Sequence, residues 1–265
     1  MGGWSESDPL LPAAIRSQSE DQAGEKPIVD ILRVFPPGFL AVCLLLSLPA
    51  MVKCLDVGFD RDYTFWHGHA AGVFAFLPLP LIALGHALHL SRRSPSRLGV
   101  FLGLGAPATV VLVLGMALME RGIETGAKFA ASDCWADSGK SALDESWQRA
   151  RDFYAECLRL QPSTEYGPLI EDCPGYADHE EPGWRYLAGT ERRLLCGGWC
   201  ARSPQLWGLG GSPGTHCSKA VAEVMFSKVK PVGRQLLVYG AVVLVLVFEG
   251  FVLLGPRLHA LDIDW

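Results

Sequence analysis

The chain contains no asparagine among its 265 residues, so it offers no Asn-x-Ser/Thr acceptor for N-glycosylation. It has no basic run either. Its 23 Lys and Arg stand against 28 Asp and Glu, a net charge of −5, which leaves no electrostatic footprint for nucleic acid. A phosphate-binding glycine loop, a His-Glu-x-x-His pattern and a nucleophile–base pair are all missing, and enzymatic activity is not expected. The loop carboxylates Glu180-Glu181 and Glu171-Asp172 read as solvated charge. No internal repeat is present. The first 34 residues are polar, with Glu6, Asp8, Glu20, Asp21 and Glu25, which is unlike a cleavable signal. The first apolar segment is then expected to act as the insertion signal itself.

What the chain has in excess is apolar sequence, 49% of its residues, gathered in blocks. A bilayer core about 30 Å thick needs roughly 20 apolar residues of helix. Four stretches qualify, at about 35–55, 70–90, 98–119 and 234–254. Pro36-Pro37 opens the first, where the missing N–H costs nothing. Pro78 and Pro80 interrupt the second and are expected to kink it. The spacing predicts an all-α membrane protein: four transmembrane helices with a large disulfide-stapled, mostly helical loop between the third and fourth. Its expected parts are a disordered cytosolic tail over 1–34, three spans with short loops over 35–118, an outer loop over 119–233, the last span over 234–255 and a short tail over 256–265.

Orientation follows from the loops. Ser91-Arg92-Arg93-Ser94-Pro95-Ser96-Arg97 carries three arginines in seven residues, whereas the loop between the first two spans leans acidic, with Asp56, Asp60, Arg61 and Asp62. The positive-inside rule puts the arginine loop and both termini in the cytosol. Lys228, Lys230 and Arg234 near the start of the last span oppose this.

Few polar residues interrupt the spans. Glu249 lies deep in the fourth, and His86 and His89 lie one turn apart in the second. Intramembrane ionisable groups mark proton paths or ligand sites when several face one another. Here they are not matched across spans, so hydrogen bonding between helices and interfacial placement is the simpler reading. Gly99 and Gly103 form a GxxxG pair that lets helices approach closely.

The outer loop holds Cys134, Cys157, Cys173, Cys196, Cys200 and Cys217. Thiols persist as disulfides in oxidising compartments, and six cysteines allow fifteen pairings. Cys196-Gly197-Gly198-Trp199-Cys200 also has zinc-knuckle spacing, but scattered exofacial cysteines favour bridges, and no metal is expected. Cys43 and Cys54 share the first span and read as buried free thiols. Apolar residues at three-to-four spacing predict one amphipathic helix over 142–160 and a second from about 218 that leads into the last span, bent at Pro231. Between them, 161–214 is rich in Gly, Pro and Trp and reads as irregular loop. Trp184, Trp199 and Trp207 are either exposed anchors for a partner or the filling of a small core.

In the N-terminal segment, Glu6-Ser7-Asp8-Pro9-Leu10-Leu11 fits an acidic dileucine pattern. Glu6 would meet a basic patch, and Leu10 and Leu11 an apolar pocket, on a sorting adaptor. Gly2 is followed by Glu6 where myristoylation needs Ser or Thr, so lipidation there is not expected.

Taken together, the small first outer loop, the large second one, the short basic inner loop, Met119-Glu120-Arg121-Gly122-Ile123 running on from the third span, Cys217 opening the helix of the last span, and Glu249-Gly250 within it resemble a tetraspanin. The resemblance covers most of the chain after the first segment. The family's Cys-Cys-Gly motif is absent: Cys157-Leu158-Arg159 stands in its place. Also absent are a polar Asn in the first span and a cysteine flanking a span on the cytosolic side. The resemblance implies a membrane organiser that binds partner membrane proteins laterally through its spans and outside through its large loop, at the plasma membrane or in endosomal, lysosomal or vacuolar membranes. It also implies a cavity between the spans able to hold a sterol or lipid, with Glu249 the polar residue nearest to it. No other cofactor is expected. Two other readings stand beside it. An accessory subunit of a large membrane complex would use His67, His69, His86 and His89 towards a pigment or metal. A small transporter or channel would need Glu249 and a facing histidine to line a water-filled path.

Overall fold

Proline placement decides where the helices of this chain bend. A computed structural model describes the backbone of residues 13–92, 96–160, 169–179, 181–208 and 213–259, and the side chains of 35–91, 96–160, 169–179, 181–208, 213–253 and 255–256. The helices are α1 (Ala13–Gly58), α2 (Arg61–His67), α3 (Ala70–Phe74), α4 (Pro78–Arg92), α5 (Arg97–Val100), α6 (Ala106–Ala130), α7 (Ser138–Leu160), α8 (Tyr176–His179), α9 (Pro182–Leu194), α10 (Cys217–Val224) and α11 (Lys230–His259). Among the described residues there is no strand.

Four helical stretches are long and apolar enough to cross a membrane: Phe35–Gly58, Ala70–Ser91, Arg97–Ala130 and Cys217–Leu253. The chain is an all-α protein with the composition of a multi-pass membrane protein. α1 begins at Ala13, so the helix that carries the first span also takes in most of the segment that composition reads as disordered. The second span breaks rather than kinks. α3 ends in a turn over residues 75–77, and α4 starts on Pro78, where the missing N–H has no helical partner to lose.

The third and fourth spans each contain a widened π turn, Phe101–Gly105 and Met225–Val229. In both, a proline stands two residues beyond the turn, at Pro107 and Pro231. Proline cannot donate to the carbonyl four residues back, and a wider i→i+5 turn accommodates the loss. The N–H of Ala106 reaches the Phe101 carbonyl, and that of Lys230 the Met225 carbonyl. Pro231 therefore widens the last span locally, and helix continues through it to His259.

The chain forms two compact units. One comprises Met1–Pro49, Leu77–Thr109 and Val242–Trp265. In it, a β-carbon at Gly85 would lie 2.7 Å from both the Gly103 nitrogen and the Gly99 oxygen, so the GxxxG pair serves the contact between the second and third spans. Phe39, Cys43 and Ile82 form its small core, and the rings of Phe35 and Phe39 meet His89 edge-on at 5.1 and 4.6 Å.

The other unit comprises Ala50–Phe76 and Val110–Ala241. Its helices α6 and α11 touch backbone to backbone. A β-carbon at Gly115 would lie 2.5 Å from the Leu237 nitrogen, and one at Gly233 would lie 2.4 Å from the Met119 nitrogen. The rest of this unit is the segment 50–76 and the head between the third and fourth spans, the head built around Trp147, Trp184, Leu187, Trp199, Trp207, Val221 and Met225.

Candidate interaction site on a disulfide-bonded head

Three disulfides tie the head: Cys134–Cys200, Cys157–Cys173 and Cys196–Cys217. Their Cα atoms lie 5.9, 5.8 and 5.0 Å apart, within the ordinary reach of the bond. Cys196 and Cys200 thus go to different partners, which excludes the zinc-knuckle reading of that spacing. Asp144 comes within ligand range of Cys134 and Cys200, but both sulfurs are consumed by their bridge, and an Asp144 carboxylate oxygen accepts the Cys200 N–H at 3.1 Å. The two glycines between Cys196 and Cys200 make a tight turn. Gly198 has φ 74°, and its carbonyl accepts the Cys217 N–H at 2.8 Å. Cys43 and Cys54 are buried free thiols.

Residues 182–194 correct the expectation of irregular loop. They form α9, with Pro182 at its first turn and Trp184, Leu187, Ala188 and Glu191 on its buried face, the three-and-four spacing of an amphipathic helix. Abundant glycine and proline around the segment hide that pattern. Trp184, Trp199 and Trp207 are at most 2% exposed, so they are core rather than partner anchors. Their indoles pack in a cluster with Phe153, Tyr176 and Tyr186.

Two buried polar groups organise this core. Glu191 is fully buried. Its carboxylate accepts the Trp147 indole N–H at 3.0 Å and the backbone N–H groups of Leu206 and Trp207 at 2.9 and 3.1 Å. Burial pushes its pKa up, against the pull of those donors. Lys140 is 1% exposed. Its ammonium donates to the carbonyls of Phe129, Ala131 and Asp133 at 3.5, 2.5 and 3.4 Å, satisfying acceptors that the end of α6 leaves open. The signal for Glu191, a carboxylate on the apolar face of a helix, emerges only once α9 is recognised. Nothing local marks Lys140.

The loop between the first two apolar stretches docks on α9. Asp62, with no exposed surface, accepts from Arg193 at 2.6 Å and from the Tyr186 hydroxyl at 3.2 Å. Phe65 stacks on Tyr186 with ring centroids 3.8 Å apart. Burial and the Asp62 charge push the Tyr186 phenol up. The Arg61 guanidinium seats against Gly189, where a β-carbon would come within 1.9 Å, and donates to the Arg185 carbonyl at 2.5 Å. Asp60 caps α2 through the N–H of Asp62 and Tyr63 and accepts from Lys228 at 2.8 Å. Burial raises the Asp60 pKa, but the hydrogen bond and charge of Lys228 outweigh it and hold the carboxyl below its ordinary value. His67 reaches the Thr125 hydroxyl at 2.9 Å, which occupies one of its two ring nitrogens. Glu181 and Glu171 keep the solvent contact expected of loop charge. They pair with Arg149 and Arg192.

Among charged neighbours, the head also exposes large apolar side chains. Trp135 is 72% exposed and Leu195 71%. Leu195 sits at φ 51°, a left-handed conformation that costs a non-glycine residue about 1–2 kcal/mol, and the turn there holds its side chain out of the core.

In the other unit, a cavity of about 240 Å³ is lined by Phe35, Phe39, Val100, Leu104, Val247 and Gly250 among others, with no charged side chain. Glu249 is not part of its lining. It is exposed on α11, contrary to the expectation that it lies nearest the cavity: Val247 and Gly250 turn inward, and the two residues between them, Phe248 and Glu249, turn out. His86 is partly buried. Glu6, Leu10 and Leu11 lie outside the described residues. Searches against protein-family models, curated proteins and solved structures gave no match.

Proposed function

We propose that this chain is a tetraspanin-like, non-enzymatic membrane organiser. Its head binds partner membrane proteins outside the bilayer, and its spans associate with them inside it. The observation that carries the reading is the contrast among tryptophans. Trp147, Trp184, Trp199 and Trp207 are buried while Trp135 is 72% exposed, as is Leu195 at 71%. Exposed aromatic and aliphatic anchors on a disulfide-bonded scaffold are the anatomy of a protein-binding surface.

Termini in the cytosol and a head outside follow from the arginine loop. The charges that opposed this orientation weigh less once Lys228 is seen between Asp60 and Asp56 at 2.8 and 3.5 Å, where it is largely neutralised. The apolar cavity of about 240 Å³ suits the end of an acyl chain. Glu6, Leu10 and Leu11 would direct the protein to endosomal, lysosomal or vacuolar membranes through a sorting adaptor.

The test replaces both anchors, Trp135→Ala with Leu195→Asp, in the full chain, followed by cross-linking in intact membranes. Retained disulfides with loss of most cross-linked partners supports the reading. An unchanged partner set removes the head from partner binding.

A further inference from the structure

A pocket of about 350 Å³ lies where α2, α7 and the start of α9 meet, all within the unit that carries the head. That volume is at the lower end of small-ligand sites and suits one ring rather than a chain of them.

The apolar part of the pocket is mainly aromatic. Phe65 and Trp66 line it with ring centroids 5.2 Å apart and planes at 83°, so the two rings form a corner. Both are fixed by neighbours. Phe65 stacks on Tyr186, yet 41% of it stays exposed. Trp66 packs against Phe129 and Trp199 and donates its indole N–H to the Tyr186 hydroxyl at 3.2 Å.

The polar part combines a buried hydroxyl with an ion pair. Ser146 lines the pocket and is 3% exposed, and its Oγ has no hydrogen-bond partner among the described residues. Leaving a buried hydroxyl unmatched is unfavourable. A second lining residue, Gly183, passes close to that oxygen: a β-carbon there would lie 2.6 Å from it. Glycine at 183 therefore keeps the hydroxyl uncovered by a side chain. Arg149 and Glu181 line the pocket too. Arg149 Nε and Nη2 donate to the carboxylate at 2.9 to 3.1 Å. The N–H groups on Nη1 and further carboxylate lone pairs are left for a ligand.

The chemistry of the lining selects its ligand. Its one cation and one anion are already joined, so a phosphate or carboxylate would meet Glu181 as well as Arg149. An acyl chain or an aliphatic side chain would leave the Ser146 hydroxyl unmatched. A neutral ring with an apolar face and adjacent hydroxyls answers every feature. Its C–H face lies on the aromatic corner, and its hydroxyls, each both donor and acceptor, meet Ser146, Arg149 and Glu181.

We propose that this pocket binds one neutral hexopyranose ring. An N-linked glycan of the chain's own cannot fill it, because the chain has no asparagine. The ring comes from a glycan on another protein or from a glycolipid headgroup, which share this chemistry. The site goes beyond the organiser reading and is separate from Trp135 and Leu195, neither of which lines it.

The test places the full chain in phosphatidylcholine nanodiscs, free of glycoside detergents. Saturation transfer is measured to the methyl glycosides of glucose, galactose, mannose and N-acetylglucosamine. At least one is expected to bind with a dissociation constant of about 1 mM. Sorbitol, which has the hydroxyls without the ring, is expected not to compete. Ser146→Ala is expected to weaken binding about three- to tenfold while thermal stability holds or rises, because the hydroxyl it removes is unpartnered. A merely structural serine would not separate those two readouts. Arg149→Met, at an exposed side chain, is expected to weaken binding at least about tenfold. Absence of transfer to all four glycosides overturns the proposal. So does equal competition by sorbitol, or unchanged binding in both variants. The glycoside that binds is then offered on a protein carrier and on a ceramide in the nanodisc. Binding to either supports the proposal and names the source, and binding to neither overturns it. The chain carrying Trp135→Ala with Leu195→Asp is expected to bind the glycoside unchanged, so this site and the organiser reading fail separately.

Discussion

The indole N–H of Trp147 on α7 donates to the buried carboxylate of Glu191 on α9 at 3.0 Å. With the Trp184 indole N–H, which donates from α9 to the Ser146 carbonyl on α7 at 3.1 Å, that contact joins the two longest helices of the head. The other carboxylate oxygen accepts two backbone N–H groups, of Leu206 and Trp207, so the group also fixes the segment that follows α9. Glutamine can satisfy only one of these two sides, because its amide nitrogen would face donors. Glu191→Gln is therefore expected to destabilise the head by about 1–3 kcal/mol, read from thermal unfolding in detergent. No change would mean that the carboxylate is not the organising acceptor.

The same residue sets a pH dependence. Burial raises the Glu191 pKa in the folded state, so the folded protein holds that proton more tightly than the unfolded chain does. Its contribution to stability then falls as pH rises from the ordinary glutamate range through the raised folded value, and is recovered on acidification across the same window. Asp60 acts in the opposite sense. Its pKa is lowered, and its contribution is lost as pH falls through that lowered value. Subtracting the Glu191→Gln profile from that of the unmodified chain isolates the first effect. A difference that grows more stabilising with rising pH contradicts the assignment.

Asp62 and Arg193 join the loop between the first two apolar stretches to α9. Asp62 is fully buried while the Arg193 side chain is 37% exposed, so removing the arginine strands a buried carboxylate, whereas removing both does not. Arg193→Ala is expected to cost more than the double change Asp62→Ala with Arg193→Ala, by about 1–2 kcal/mol after allowance for the arginine's exposure. A double-mutant cycle measures this, and additive single effects would contradict it.

The bridges differ in the length of chain they close. Cys134–Cys200 spans 66 residues and Cys157–Cys173 spans 16. On the loop-entropy account, replacing both cysteines of the pair by serine costs about 4 kcal/mol for the first and about 3 for the second. A non-reducing digest should yield the three linked peptides 134–200, 157–173 and 196–217, and any other pairing refutes this head.

Gly115→Ala and Gly233→Ala place a β-carbon against backbone that has no flexible side chain to yield. Each is expected to lower stability by about 1–3 kcal/mol. Gly250→Ala meets nothing within 4 Å and is the matched control, neutral or up to about 1 kcal/mol stabilising from helix propensity. Equal effects at all three positions would mean that α6 and α11 are not in backbone contact.

Much of the architecture was legible because hydrophobic length and loop cysteines are strong local signals. The four apolar blocks, the helix over 142–160 and the helix entering the last span all follow from spacing, and the prolines at 78 and 231 marked real departures from regular helix. The disulfide partners were not legible, because pairing depends on where helices fold back. α9 was hidden by surrounding glycine and proline. Trp184, Trp199 and Trp207 read as either anchors or core, since spacing does not reveal which face meets the interior. Glu249 was legible as an intramembrane acid, but not as one that faces away from its own bundle. Trp135 and Leu195 carry no sequence signal at all, since their significance lies in being exposed.

The most direct test of the organiser account is purification from native membranes in mild detergent, with quantitative mass spectrometry of what co-elutes. The account predicts a broad, substoichiometric set of membrane receptors and adhesion proteins. A fixed, stoichiometric set of bioenergetic subunits would contradict it and would make the chain a structural part of one large complex.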